Sequence, residues 1–145
     1  MIIIPFKASH YEQMVLQDHQ KYLSSWVTVD MMLSLENEGL SRAFSAFDDN
    51  HNVLAMAGVL KQWNNRGIAW AYFSDKVDCR NFIKIHRAVA RFLKTCEFKR
   101  VEMTVDCEFE QGHRWAKQLG FTLESERMVA YRPDGGDCAL YSRVV

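Results

Sequence analysis

The sequence predicts one α/β (α+β) domain, a mixed central sheet of about seven strands flanked by about four helices. Three observations carry that expectation. Strand-like runs at Ile2–Phe6, Leu40–Phe47, Val53–Gln62 and Ile68–Phe73, with two helical segments after the first, occupy the first half of the chain. The hydrophobic period then changes: from Asn81 to Cys96, Phe82, Ile85, Val89, Phe92 and Cys96 recur at three- and four-residue steps, the mark of a long amphipathic helix. A further strand and helix, Val101–Val105 and Glu110–Leu119, come after it. Strands on both sides of a long helix imply a parallel crossover near the middle of the sheet.

Each element has its own signal. Ile2–Phe6 is β-branched and aromatic and reads as a first strand. Ser9 can cap a helix carrying Tyr11, Met14, Val15 and Tyr22 at helical spacing. A second helix runs from Thr28 or Asp30 to Glu38 and stops at Gly39. Leu40–Phe47 and Val53–Gln62 are strands joined by the polar turn Asp48-Asp49-Asn50-His51-Asn52, and Asn64-Asn65-Arg66-Gly67 turns the chain into Ile68–Phe73. Gly120 sits where a left-handed helix cap is wanted, with Trp115, Leu119 and Phe121 expected in the core. Met128–Tyr131 and Ala139–Val144 close the chain as a hairpin around Pro133-Asp134-Gly135-Gly136.

Composition narrows the function classes. At 145 residues and 48% hydrophobic, residues 1–145 form one domain with a real core. The 18 basic and 18 acidic side chains cancel, so no overall field draws nucleic acid or an anionic membrane. Cys79, Cys96, Cys107 and Cys138 are widely spaced, which is neither a zinc pattern nor a redox dithiol. The start lacks a basic leader and is broken by Pro5, and the longest internal apolar run, Val53–Leu60, is far short of the roughly 20 residues of a membrane helix. The reading that fits is a protein of the reducing cytoplasm.

The element order, together with His113-Arg114-Trp115-Ala116-Lys117-Gln118-Leu119-Gly120-Phe121, resembles the GNAT acyltransferases, whose helix-to-strand signature ends in Leu-Gly-Phe. The closing Arg132-Pro133-Asp134-Gly135-Gly136-Asp137-Cys138-Ala139-Leu140-Tyr141-Ser142-Arg143 is similar to the terminal hairpin of small GNAT-like bacteriophage proteins, which would place the chain in a host cytoplasm or a virion. The resemblance implies acetyl-CoA as acyl donor and an amine, on a small molecule or a protein, as acceptor. It implies no metal, and a monomer or homodimer.

In that family a Gln/Arg-x-x-Gly-x-Gly/Ala turn opens the long helix, so that backbone N–H groups hold the CoA pyrophosphate. Here the run is Arg80-Asn81-Phe82-Ile83-Lys84-Ile85-His86: Arg80 matches, and Ile83 and Ile85 replace both small residues. One reading is a modified cradle in which Phe73, Ser74, Arg80, Asn81, Lys84 and Arg87 contact the cofactor. The other is an ordinary helix start with core isoleucines and a solvated basic stripe of Lys84, Arg87, Arg91 and Lys94.

Amine acylation needs a base for the amine and an acid for the leaving thiolate. The family's tyrosine, four positions before the signature glycine, is Ala116 here. Substitutes are expected at the ends of the strands flanking the cofactor: Asp75 or Glu108 as base, and Cys107 as a nucleophile if its thiol were activated. Trp26 and Tyr72 are candidate substrate contacts, Trp63 a partner anchor, Trp115 a core residue and His113 a surface histidine. Two functions follow: an acyl-CoA-dependent N-acetyltransferase, or a non-catalytic module on the same fold that binds a partner, such as a host protein.

Overall fold

The computed structural model describes residues Met1–Val145. In chain order the elements are β1 (Ile2–Pro5), α1 (Ala8–Glu12), a 3₁₀ segment (Asp18–Ser25), α2 (Val29–Glu36), β2 (Ser41–Phe47), β3 (Val53–Trp63) and β4 (Arg66–Phe73). They continue with α3 (Cys79–Lys94), β5 (Arg100–Asp106), α4 (Glu110–Gln118), β6 (Thr122–Met128) and β7 (Cys138–Val144). The seven strands form one sheet in the order β1-β2-β3-β4-β5-β7-β6. Only β4 and β5 pair in parallel, and α3 is the crossover between them, as the change of period predicts.

β3 is the spine. Its residues Val53–Val59 are all buried, because helices cover both faces of the sheet there. Ala55, Ala57 and Val59 point to the face of Ile85, Val89, Leu93 and Trp115 from α3 and α4, while Met56 points to the face of Phe6, Met32 and Leu35. The β2–β3 turn is held by Asp48, whose carboxylate accepts from the Asn50 and Asn52 amides at 2.9 Å each, and His51 takes φ 62° within it. β4 begins earlier than expected, at Arg66, because Gly67 lets the strand pass against Val59 and Phe98, where a Cβ would clash.

Two regions depart from the sequence reading. The segment expected as one helix from Ser9 is only the short α1, capped at Lys7; the chain then extends, and Leu16 pairs with Ser74 before the 3₁₀ segment that contains Tyr22. β6 occupies Thr122–Met128, and Val129–Tyr131 belongs to the connection rather than a strand, with Ala130 at φ 53°. β6 is an edge strand with most side chains in solvent, so it lacks the apolar alternation that reveals a strand. No helix is long and apolar enough to cross a membrane.

At the end of α4, Gly120 has φ 88°, Trp115 and Phe121 are buried, and Leu119 is half-buried. A Cβ at residue 120 would meet nothing within 4 Å, so Gly120→Val probes backbone strain alone. We expect a loss of about 1 kcal/mol or more. A melting temperature equal to that of the parent would refute it.

Candidate functional site

The parallel pairing of β4 and β5 lasts for three partners, Arg66↔Arg100, Gly67↔Val101 and Ile68↔Glu102. That end is clamped by charge: the Glu102 carboxylate accepts from Arg66 Nε at 2.7 Å and from Arg100 Nε at 3.0 Å. Beyond Ile68 the strands part, and Phe73, Val105, Phe109 and Trp115 line the space that opens. The result is a narrow, mostly apolar cleft of about 130 Å³. A wider mouth of about 700 Å³ lies between the loop after β4, the start of α3 and α4, and it shares Phe73, Phe109 and Trp115 with the cleft.

Ser74 and Asp75 line the mouth; Ser74 is buried, and its hydroxyl accepts from the Lys76 amide at 3.1 Å. The start of α3 is arranged differently from an open anion cradle. Asp78 is the N-cap, and its carboxylate accepts from the Asn81 amide at 2.7 Å. A negative group therefore already sits on the donors that a phosphate would use. Arg80, Lys84 and Arg87 are exposed and lie outside the mouth's lining, because Ile85, Val89 and Leu93 form the buried stripe of α3 and turn the basic residues to solvent. The two isoleucines differ: Ile85 is core, whereas Ile83 is exposed and lines the mouth. Arg114 on α4 is the cation lining the mouth, a residue that the helix-start motif gave no reason to choose.

At the end of β5, Asp106 is engaged on three sides. Its carboxylate accepts from the Glu108 amide at 3.0 Å, stands 2.7 Å from Arg132 Nη1 and lies 3.6 Å from His19 Nδ1. Burial pushes this carboxyl up, but the Glu108 amide and Arg132 outweigh it and hold it below the usual carboxylate range. Glu108 is exposed and lies 3.5 Å from Arg127. The half-buried Cys107 thiol donates to the Glu126 carbonyl at 3.4 Å. His113 is not a surface histidine: its Nε2 donates to the Cys107 carbonyl at 3.0 Å, so its Nδ1 accepts from the Tyr141 hydroxyl at 2.7 Å.

Tyr72 points to the opposite face from Phe73, packing on Tyr11 and Trp70, and burial pushes its phenol up to about 12. Trp26 ends the 3₁₀ segment and is half in solvent. Trp63 is exposed, with the Arg66 guanidinium over its ring at 4.6 Å. Trp115 is core, as expected.

One part of the site has no counterpart in the sequence reading. β4's edge beyond the divergence is bonded by residues of the N-terminal segment. The Gln20 carboxamide donates to the Ala71 carbonyl at 2.6 Å and accepts from the Phe73 amide at 2.9 Å. The Gln17 amide donates to the Phe73 carbonyl at 2.9 Å, and the Asp75 amide to the Val15 carbonyl at 3.0 Å. Tyr22 also lines the cleft; burial raises its phenol, and the Arg132 guanidinium lies over its ring at 4.3 Å.

No family model matches the sequence. No curated protein matches it. Solved structures do. A ribosomal-protein alanine acetyltransferase from Vibrio fischeri superposes with a TM-score of 0.70 at 16% identity, covering 98% of this chain and 91% of its own. An N-acetyltransferase from Staphylococcus aureus gives 0.72 at 9% identity over 99% and 96% of the two chains. A variant of the spermidine N-acetyltransferase from Vibrio cholerae gives 0.66 at 10% identity over 99% and 95%. Such identities speak to architecture alone. With its diverging β4–β5 pair and the Leu119-Gly120-Phe121 turn, the chain has the GNAT-like α/β fold of these N-acetyltransferases.

Proposed function

We propose that the chain is an acyl-CoA-dependent N-acyltransferase, carrying an acetyl group from acetyl-CoA to an amine of a small molecule or a protein. The observation that supports it is the divergence of β4 and β5 past Ile68, which gives an apolar cleft beside a strand edge with polar backbone groups. That is a surface for a slender chain of amides and methylenes. Among the candidate bases, Asp75 stands at the mouth beside Ser74, whereas Glu108 is drawn toward Arg127 and Cys107 is tied to the Glu126 carbonyl. Asp75 is therefore our choice for receiving the amine proton, directly or through water. Tyr22, in the cleft lining, is our choice for the acid that protonates the leaving thiolate. Arg114 would pair with phosphate at the mouth.

A second reading has its own support: a non-catalytic module that binds a partner, which the resemblance to bacteriophage proteins would place in a host cytoplasm or a virion. Asp78 on the α3 N-terminus opposes phosphate, and residues 15–20 hold the β4 edge.

Calorimetric titration with acetyl-CoA separates the two. Asp78→Ser keeps a capping oxygen and removes the charge, so under the acyltransferase reading it should tighten binding on the order of 10-fold. Arg114→Glu should weaken it by a similar factor. Absence of binding at millimolar acetyl-CoA, in the parent, in Asp78→Ser and in Asp78→Ser combined with Gln20→Ala, which frees the β4 edge, would leave the module reading.

A further inference from the structure

The carbonyls of Ala71 and Phe73 and the amide of Phe73 point to the same edge of β4, because alternate residues share a side. That edge faces β5, which has moved away, so these groups need another partner. Gln20 can serve as that partner because its carboxamide carries one acceptor and a donor side by side, as a peptide group does. Gln17 Nε2 donates to Gln20 Oε1 at 3.1 Å, which fixes that carboxamide with its oxygen toward the Phe73 amide. Residues 15–17 add two backbone bonds to Phe73 and Asp75. Every bond is of the kind an incoming strand or amide chain would make.

We propose that residues Val15–Gln20 are an internal occupant of the cleft, standing in for an extended amide ligand, and that the ligand enters only when Gln20 releases β4. The identity of that ligand as acyl-CoA rests on the acyltransferase reading above. Two occupants cannot share one set of backbone groups, and a cleft of about 130 Å³ is well below the roughly 300 Å³ at which small-molecule pockets begin. The occupant has one buried anchor, Leu16, which pairs with Ser74, and is lightly held beyond it. The 3₁₀ segment that carries Gln20 contributes no fully buried side chain. Besides the β4 bonds, Val15–Gln20 is held by the His19 ring stacked on Phe109 at 4.4 Å and the 3.6 Å contact of His19 with Asp106, while the Arg132 guanidinium over Tyr22 holds the rest of the 3₁₀ segment in place.

The test uses the full chain and the variants Gln20→Ala and Gln20→Leu. Gln20→Leu keeps side-chain bulk but has neither donor nor acceptor, so it releases both the Ala71 carbonyl and the Phe73 amide even if the alanine variant folds poorly. Hydrogen exchange of the Phe73 amide and acetyl-CoA titration are measured together. Exchange on the order of 10-fold faster, with acetyl-CoA bound on the order of 10-fold more tightly than by the parent, is the expected result. Unchanged exchange overturns the proposal. Faster exchange with equal, measurable binding in parent and variants also overturns it, and leaves the acyltransferase reading standing. Faster exchange with no binding in any form overturns the competition and the acyltransferase reading together.

Discussion

Trp115→Ala is expected to cost about 3–5 kcal/mol of stability, the range for truncating a buried aromatic side chain. Trp115 is one of the residues that wall both the cleft and its mouth. Its ring meets Phe73 edge-on at 5.1 Å and Phe82 at 5.8 Å, so α4, α3 and β4 converge on one side chain. Its indole N–H donates to His86 Nδ1 at 3.1 Å, and truncation would leave that nitrogen without its donor. Trp115→Phe should recover a large part of the loss, because it refills most of the cavity while still lacking the donor. Denaturant unfolding of the three proteins decides it: a Trp115→Ala cost below about 1 kcal/mol would mean that this wall carries no packing load.

The same residue shows what a sequence can say. Trp115 was legible as core because Gly112, Trp115 and Ala116 share a helical face, and all three are buried. The stripe of α3, the Asp48 turn and the positive φ of Gly120 are local signals of the same kind, carried by spacing or by one backbone requirement. The occupied edge of β4 is not local. Gln20 meets Ala71 and Phe73 across more than fifty positions through side-chain-to-backbone bonds, which impose no periodicity on either segment. Asp78 has the residue type and position of an N-cap, three before Asn81, but the pattern of a phosphate-binding turn begins two residues later, at Arg80, and does not include it. β6 is polar because it is an edge, and a polar strand resembles a loop.

Arg132→Met is the second large effect we expect, at about 2–3 kcal/mol near neutral pH. Arg132 joins three parts of the fold: it forms an ion pair with Asp106 at the end of β5, grips Asp134 through Nε and Nη2 at 2.9 Å each, and covers Tyr22 of the 3₁₀ segment. Its side chain and that of Asp106 are 15% and 17% exposed, so the pair is poorly screened, and removing the cation strands a nearly buried carboxylate. The pH dependence has a definite sign. In the parent, Asp106 titrates below its ordinary range; its contribution is present above the unfolded carboxyl's pKa and is lost as pH falls through the lower folded value. In Arg132→Met the burial that pushes Asp106 up is less opposed, so protonation relieves the stranded charge and the gap between variant and parent should narrow on acidification. Adding Asp106→Asn to Arg132→Met should restore part of the stability at neutral pH, which a purely steric role for Arg132 would not allow. Arg127→Met is the comparison, since Arg127 also pairs with an aspartate, Asp137 at 2.5 Å, but with its side chain half in solvent, and its effect should be far smaller. Equal losses in the two single variants, or a difference that does not change with pH, would show that the Asp106 pair does not tie the 3₁₀ segment to the end of β5.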